Sequence, residues 1–248
     1  MIKMEFNQII QEFEDLSDVD FAENMKKFGI QYVKSYGLRL PQIRKIAKQC
    51  GKNHDLALKL WNHGYHETYL LATLVEEPDK VDSVQLNDWV NTFYSWDLVD
   101  QACINLLRFI PEAIDNIFIW CKSDEEFVKR TAFSLIAVLA VHNKDADFDK
   151  YFEIIKEGSK DNRNFVKKSV NWALRQIGKS SLENNKKALN LAYEILEIDN
   201  KASKWVARGA IKELESERFR ANSKKVNFIL CSLQYMTKVI IWREKVII

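Results

Sequence analysis

Glycine and proline are scarce, 7 and 3 in 248 residues. So few turn formers exclude a fold built from many β-hairpins and favour helices. The four cysteines, Cys50, Cys103, Cys121 and Cys231, lie far apart with no Cys-x-x-Cys, so neither a zinc site nor a disulfide framework is indicated. No apolar run reaches the roughly 18 residues of a membrane span. The opening Met1-Ile2-Lys3-Met4-Glu5 has no apolar core of a secretory signal. No phosphate-cradling glycine loop and no Ser-His-Asp arrangement is present. His63 and His66 straddle Gly64 without a third ligand nearby, so no metal and no cofactor is expected. These absences describe a reduced, soluble, cytoplasmic protein.

What is present is helical. Phe6, Ile9, Ile10 and Phe13 begin an amphipathic pattern that gives two or three short helices over residues 4–34. Tyr36-Gly37-Leu38-Arg39-Leu40-Pro41 interrupts it, and Pro41 suits the first turn of the next helix. Further helices are expected near 54–63, 66–77, 85–94, 96–109, 112–122, 124–141, 147–157, 163–178, 183–197 and 202–214. Alternation at period 2 is nowhere sustained.

The chain also repeats. Phe127-Val128-Lys129-Arg130-Thr131-Ala132 reappears 38 residues later as Phe165-Val166-Lys167-Lys168-Ser169-Val170. A weaker copy, Trp205-Val206-Ala207-Arg208-Gly209-Ala210, follows after 40 more. A period near 40 filled with helix pairs is the signature of HEAT-like or armadillo-like α-solenoids, whose concave face is the usual binding surface. The expected fold is therefore all-α. Residues 1–222 read as one repeat domain, and residues 223–248, apolar and β-branched, as a tail that does not fit the pattern.

Charge is unevenly placed. The net charge is −5 over residues 1–100, −3 over 101–162, +7 over 163–212 and +3 over 213–248. Lys168, Trp172, Arg175 and Lys179 share one helix face. In the next repeat Lys201, Lys204, Arg208 and Lys212 do the same. Two successive positive rows suit a phosphate backbone, although an acidic protein or a merely solvated surface fits them as well. Trp96 and Asp100, four residues apart, share a face where a ring and a carboxylate could meet a cation. Taken alone, such a pair is more often a half-buried Trp beside a salt-bridged Asp. Ser95 is the expected N-cap of their helix.

Four stretches together resemble AlkD-type DNA alkylation repair proteins, which are DNA glycosylases of HEAT-like repeats. They are Tyr36 to Arg44, Ser95 to Asp100 (Ser-Trp-Asp-Leu-Val-Asp), Phe127 to Arg130 and Asn164 to Arg175. The resemblance spans roughly residues 20–215. It implies a cleft whose two Trp, one Asp and one Arg match Trp96, Trp172, Asp100 and Arg130. One departure is Arg39, where a member of that family can carry Gln. The resemblance implies hydrolysis of the N-glycosidic bond of cationic N3- and N7-alkylated purines in double-stranded DNA, without lyase activity. Asp100 would stabilise the developing sugar cation, Arg130 would hold a phosphate or fix Asp100, and Arg39 with the two basic rows would contact DNA. It further implies that the lesion stays in the duplex, in a shallow charged cleft. A monomer associated with the nucleoid when bound to DNA is expected. The alternative is a non-catalytic solenoid that binds DNA structure, or an acidic protein, through the same basic face.

Overall fold

A computed structural model of the chain describes residues 4–144 and 146–216. Fourteen α-helices follow one another among them. They are α1 (Phe6–Asp15), α2 (Val19–Lys27), α3 (Leu40–Cys50), α4 (His54–His63), α5 (His66–Val75), α6 (Ser83–Thr92) and α7 (Trp96–Asn105), then α8 (Pro111–Asp115), α9 (Ile117–Trp120), α10 (Glu126–His142), α11 (Phe152–Gly158), α12 (Asn164–Ser180), α13 (Leu182–Leu196) and α14 (Lys201–Leu214). No strand occurs among the described residues. The proposed tail from Ser223 lies outside them.

Polar caps start several helices. Asp18, Asn53, Asp82, Ser181 and Asn200 each accept a first-turn N–H, which satisfies donors that the helix itself leaves open. The helix expected over 96–109 stops at Asn105, and the one over 112–122 divides into α8 and α9.

The helices form two rows. In one, α3, α5, α7, α10, α12 and α14 each pack on the next. In the other, α4 backs α5, α6 and α9 back α10, α11 backs α12, and α13 backs α12 and α14. Stacked indoles tie the second row together: Trp61 of α4 and Trp89 of α6 lie 3.9 Å apart and 2° from parallel. This is the HEAT-like solenoid that the repeat predicts. The repeat itself is visible as contact, since Phe127 and Phe165 touch at 5.6 Å between ring centres. Farther along, buried Asn171 donates to the Val206 carbonyl at 2.8 Å. Gly209 permits that approach, because a Cβ there would stand 2.8 Å from the Asn171 amide nitrogen.

One turn anchors the N-terminal segment through a buried charge. Glu67 is wholly buried at the start of α5. Its carboxylate accepts from the backbone N–H of Tyr36 (2.9 Å), Gly37 (2.8 Å) and Leu38 (3.2 Å), and from the Ser35 hydroxyl (2.6 Å). Gly37 has φ +78°, and a Cβ there would meet the Asp18 carbonyl at 1.9 Å. Only glycine fits this turn.

Candidate active site

The first turn of α7 is fixed by charge. Ser95 stands at the N-cap position, but its hydroxyl does not cap the helix. It is buried and hydrogen-bonds the Asp97 carboxylate instead. Asp97 Oδ2 also accepts from His66 Nε2 at 2.8 Å, and His66 Nδ1 lies 3.0 Å from the Tyr94 hydroxyl. Burial works against both charges of this pair. Their mutual hydrogen bond and attraction outweigh it, so His66 titrates above its usual range and Asp97 below. Asp97 thereby pins α7 to α5, and the helical spacing keeps Trp96 and Asp100 on the same side.

Asp100 is held from behind. Arg130 Nη2 reaches both carboxylate oxygens at 2.9 Å, and the Ser134 hydroxyl donates to Oδ1 at 2.9 Å. Arg130 is only 5% exposed, and its Nη1 donates to the Phe165 carbonyl at 2.7 Å. Of the two roles open to Arg130, the geometry serves the fixing of Asp100. Desolvation pushes the Asp100 carboxyl above the ordinary aspartate range, against the opposing pull of Arg130 and Ser134. Ser134 was not foreseen, although it stands one turn from Arg130 on the same face.

Trp96, Asp100 and Trp172 all line one cavity of about 500 Å3. Its remaining walls are largely apolar and include Phe21, Met25, Leu70 and Ile104. This differs from a shallow charged cleft. The reason is the N-terminal segment, which crosses the site: Trp96 Nε1 donates to the Phe28 carbonyl at 3.1 Å. The next residue, Gly29, sits against the Phe165 ring, where a Cβ would lie 3.1 Å from Cζ. Residues 28–30 thus form a strap from α7 to α12. The Phe28 side chain at its turn is 74% exposed.

The cationic rows continue this face. At the position of Arg130 in α10, α12 carries Lys168 and α14 carries Arg208. At the position of Ser134 they carry Trp172 and Lys212. Arg175 and Lys179 do not stand free, because both meet Glu213 of α14, Lys179 at 2.6 Å. Lys201, Lys204, Arg208 and Lys212 line a groove of about 500 Å3 with Trp205, which is 45% exposed. Lys167 Nζ lies 5.5 Å from the centre of that indole ring, and Lys204 pairs with Asp199 at 2.8 Å. Arg39 is exposed, 3.3 Å from Asp18 and stacked 4.3 Å from the Phe21 ring. His63 stacks on Tyr36 and Tyr65. Among the described residues no group of three or more His, Cys, Asp or Glu is arranged to hold a metal ion, and no helix is long and apolar enough to cross a membrane.

The family model for the DNA alkylation repair enzyme matches residues 9–214. The chain belongs to this family. Proteins from two Listeria species are similar to it. It is 21% identical to the uncharacterized protein Lin0241 of Listeria innocua serovar 6a, over 88% of this chain and 99% of that protein. It is 22% identical to the uncharacterized protein Lmo0209 of Listeria monocytogenes serovar 1/2a over 134 residues, which are 52% of this chain and 60% of that protein. Among solved structures, one reported as a new family of proteins related to the HEAT-like repeat DNA glycosylases, with affinity for branched DNA structures, superposes with a TM-score of 0.69. That match has 21% identity and covers 83% of this chain and 93% of the other. At this identity the likeness concerns the fold.

Proposed function

We propose that this DNA alkylation repair family member is a monofunctional DNA glycosylase that releases cationic N3- and N7-alkylpurines from duplex DNA. The observation that carries the reading is the Asp100 carboxylate, gripped by Arg130 and Ser134 and turned into a cavity that Trp96 and Trp172 also line. An alkylated purine is already a good leaving group, so the protein needs to favour the sugar cation and present a water. The C1′–N bond breaks and its electron pair neutralises the purine cation. Water adds to C1′ and gives its proton toward Asp100. A carboxylate about 4 Å from a full positive charge contributes roughly 4 kcal/mol at an effective dielectric near 20. Each Trp face adds about 0.5–2 kcal/mol as a cation–π contact. Among the described residues no lysine lines the cavity, which supports hydrolysis over a Schiff-base lyase.

Arg39, Lys168, Arg175, Lys179, Lys201, Lys204, Arg208 and Lys212 are assigned to the DNA backbone. Lys168 and Arg208 carry most weight, because they extend the Arg130 position along the stack. Arg175 and Lys179 share one Glu213 and so offer one net positive charge between them.

A second reading has its own observation. The α14 groove combines an exposed indole with four cations, as surfaces for unpaired nucleotides do. The similar protein with affinity for branched DNA fits that reading, in which the chain binds DNA structure without catalysis. One experiment separates the two. Free base is assayed from duplex DNA carrying 7-methylguanine, with wild type and Asp100→Asn. Release by the wild type that collapses in the variant supports the glycosylase. Salt-sensitive DNA binding without release replaces it with the binding module.

A further inference from the structure

Among the described residues, Trp61, Trp89 and Trp120 are buried in the core, and Trp96 and Trp172 line the cavity beside Asp100. Trp205 of α14 has neither place and is 45% exposed. At the same repeat position Phe127 and Phe165 touch each other, and Gly29 lies against the Phe165 ring. An indole left in water forgoes the burial that would stabilise it in a core, so its surroundings point to what uses it.

Those surroundings are cationic. Lys201 and Arg208 stand one helical turn to either side of Trp205, with Lys212 two turns on, and all three are exposed. Lys167 of α12 approaches the ring centre to 5.5 Å. Gly209, also one turn on, adds no side chain to the groove of about 500 Å3 that these α14 residues line. The groove is stiff before any ligand arrives. The buried Ser203 and Ser159 hydroxyls lie 3.1 Å apart, and the Asn171 amide donates to the Val206 carbonyl at 2.8 Å. These bonds seat α14 on α12 and on the end of α11, so the stacking surface is preorganised.

The fitting ligand offers anions to the cations and a flat ring to the indole. In a duplex the bases cover one another's faces and show only their edges in the grooves, so a surface indole finds no ring there. Unpaired nucleotides offer both a free base face and a phosphate row. An acidic peptide would satisfy the cations and leave the indole unused. Because Lys168 and Arg208 extend the Arg130 position along the stack, a strand that follows α10 and α12 arrives at α14. We propose that the α14 groove holds unpaired nucleotides that continue from a duplex, with one base stacked on Trp205 and its neighbouring phosphates on Lys201, Arg208 and Lys212. The inference rests on the DNA-structure reading and adds the element of DNA that is recognised. It places no base in the cavity beside Asp100.

Anisotropy tests this with a blunt duplex of about 20 base pairs and the same duplex carrying about ten unpaired thymidines at its 3′ or 5′ end. One of the two flanks should tighten binding by about tenfold or more, the worth of one base–aromatic stack. Trp205→Ala should abolish that gain and leave blunt-duplex affinity and melting temperature unchanged, while Trp205→Phe keeps most of it. For flanked DNA, Arg208→Gln should lower the slope of log affinity against log salt by about 0.7, and Trp205→Ala should not change it. A gain that survives Trp205→Ala intact would overturn the proposal. Displacement of flanked DNA by poly-glutamate as readily as by unlabelled DNA would assign the groove to an acidic protein and overturn it too. Tight binding of a fully paired four-way junction, with no gain from either flank, would overturn the proposal and leave the DNA-structure reading standing. A Trp205-dependent gain together with base release would keep the groove and remove the non-catalytic reading.

Discussion

On α7 and α10 the charges are buried and paired, while on α12 and α14 they lie at the surface. Asp97 and Asp100 each have a dedicated cation, His66 and Arg130, with side-chain exposures of 1% and 6% for those partners. Lys168, Lys201, Arg208 and Lys212 are exposed and have no ion pair among the described residues. The first kind of charge cannot relax without leaving its partner stranded in low dielectric, so it fixes geometry. The second is screened and mobile, so it supplies reach and salt dependence. On the proposed function, orientation of the carboxylate and hold on the DNA are properties of different repeats, and mutations should separate them.

The sharpest break is at Asp100. On the proposed function, Asp100→Asn lowers single-turnover base release by up to about a thousandfold, from roughly 4 kcal/mol of lost charge stabilisation. DNA affinity should be nearly unchanged, as measured by anisotropy. Arg130→Ala should cost about 3 kcal/mol or more in urea-melt stability, because the Asp100 carboxylate is left buried with only Ser134. Equal stability of variant and wild type would show that the grip is not structural. Trp172→Ala should cost about tenfold in release, in line with one cation–π contact, and less than Asp100→Asn.

At the surface the readout changes. Replacing Lys201, Arg208 and Lys212 together with Gln should lower the slope of log affinity against log salt by up to about three, at about 0.9 per phosphate contact. Melting temperature should stay the same. An unchanged slope would remove α14 from the DNA path. The smallest effect is expected at the hinge between the two kinds of region. Burial disfavours the Asp161 charge, but hydrogen bonds from the Arg163 side chain and backbone and from Lys129 outweigh that and hold its pKa at about 2. The folded value lies below the unfolded one, so its stabilisation is present above roughly pH 4 and is lost as pH falls toward 2. Asp161→Asn should flatten that part of the stability profile.

The helices and the stack were legible because both signals are local or periodic. Apolar spacing gives each helix, and the recurrence of Phe127, Phe165 and Trp205 gives the repeat. Trp96 and Asp100 were legible as a pair because they lie one turn apart, and Trp172 and Arg130 entered through the family resemblance. What was not legible depends on partners distant in sequence. The capping role expected of Ser95 is lost to Asp97, which in turn answers to His66, 31 residues away. The strap joins Phe28 to Trp96 across 68 residues. Glu213 neutralises part of a row that spacing alone shows as uninterrupted cation. Nothing in helical periodicity encodes such closures.

The Glu67 clasp also bears on the order of assembly. A stack in which each repeat touches its neighbours can grow from any point, but the turn at Gly37 has no anion to wrap until α5 exists. On this reasoning the first two helices should dock onto repeats that have already formed. By the same logic they should be the first part to detach in native-state hydrogen exchange, as a unit that ends at Leu38. Such a departure would carry Phe28 away from Trp96 and uncover the cavity while the remaining repeats stay folded. The free energy of that partial opening, rather than global stability, would then govern how often the site is accessible.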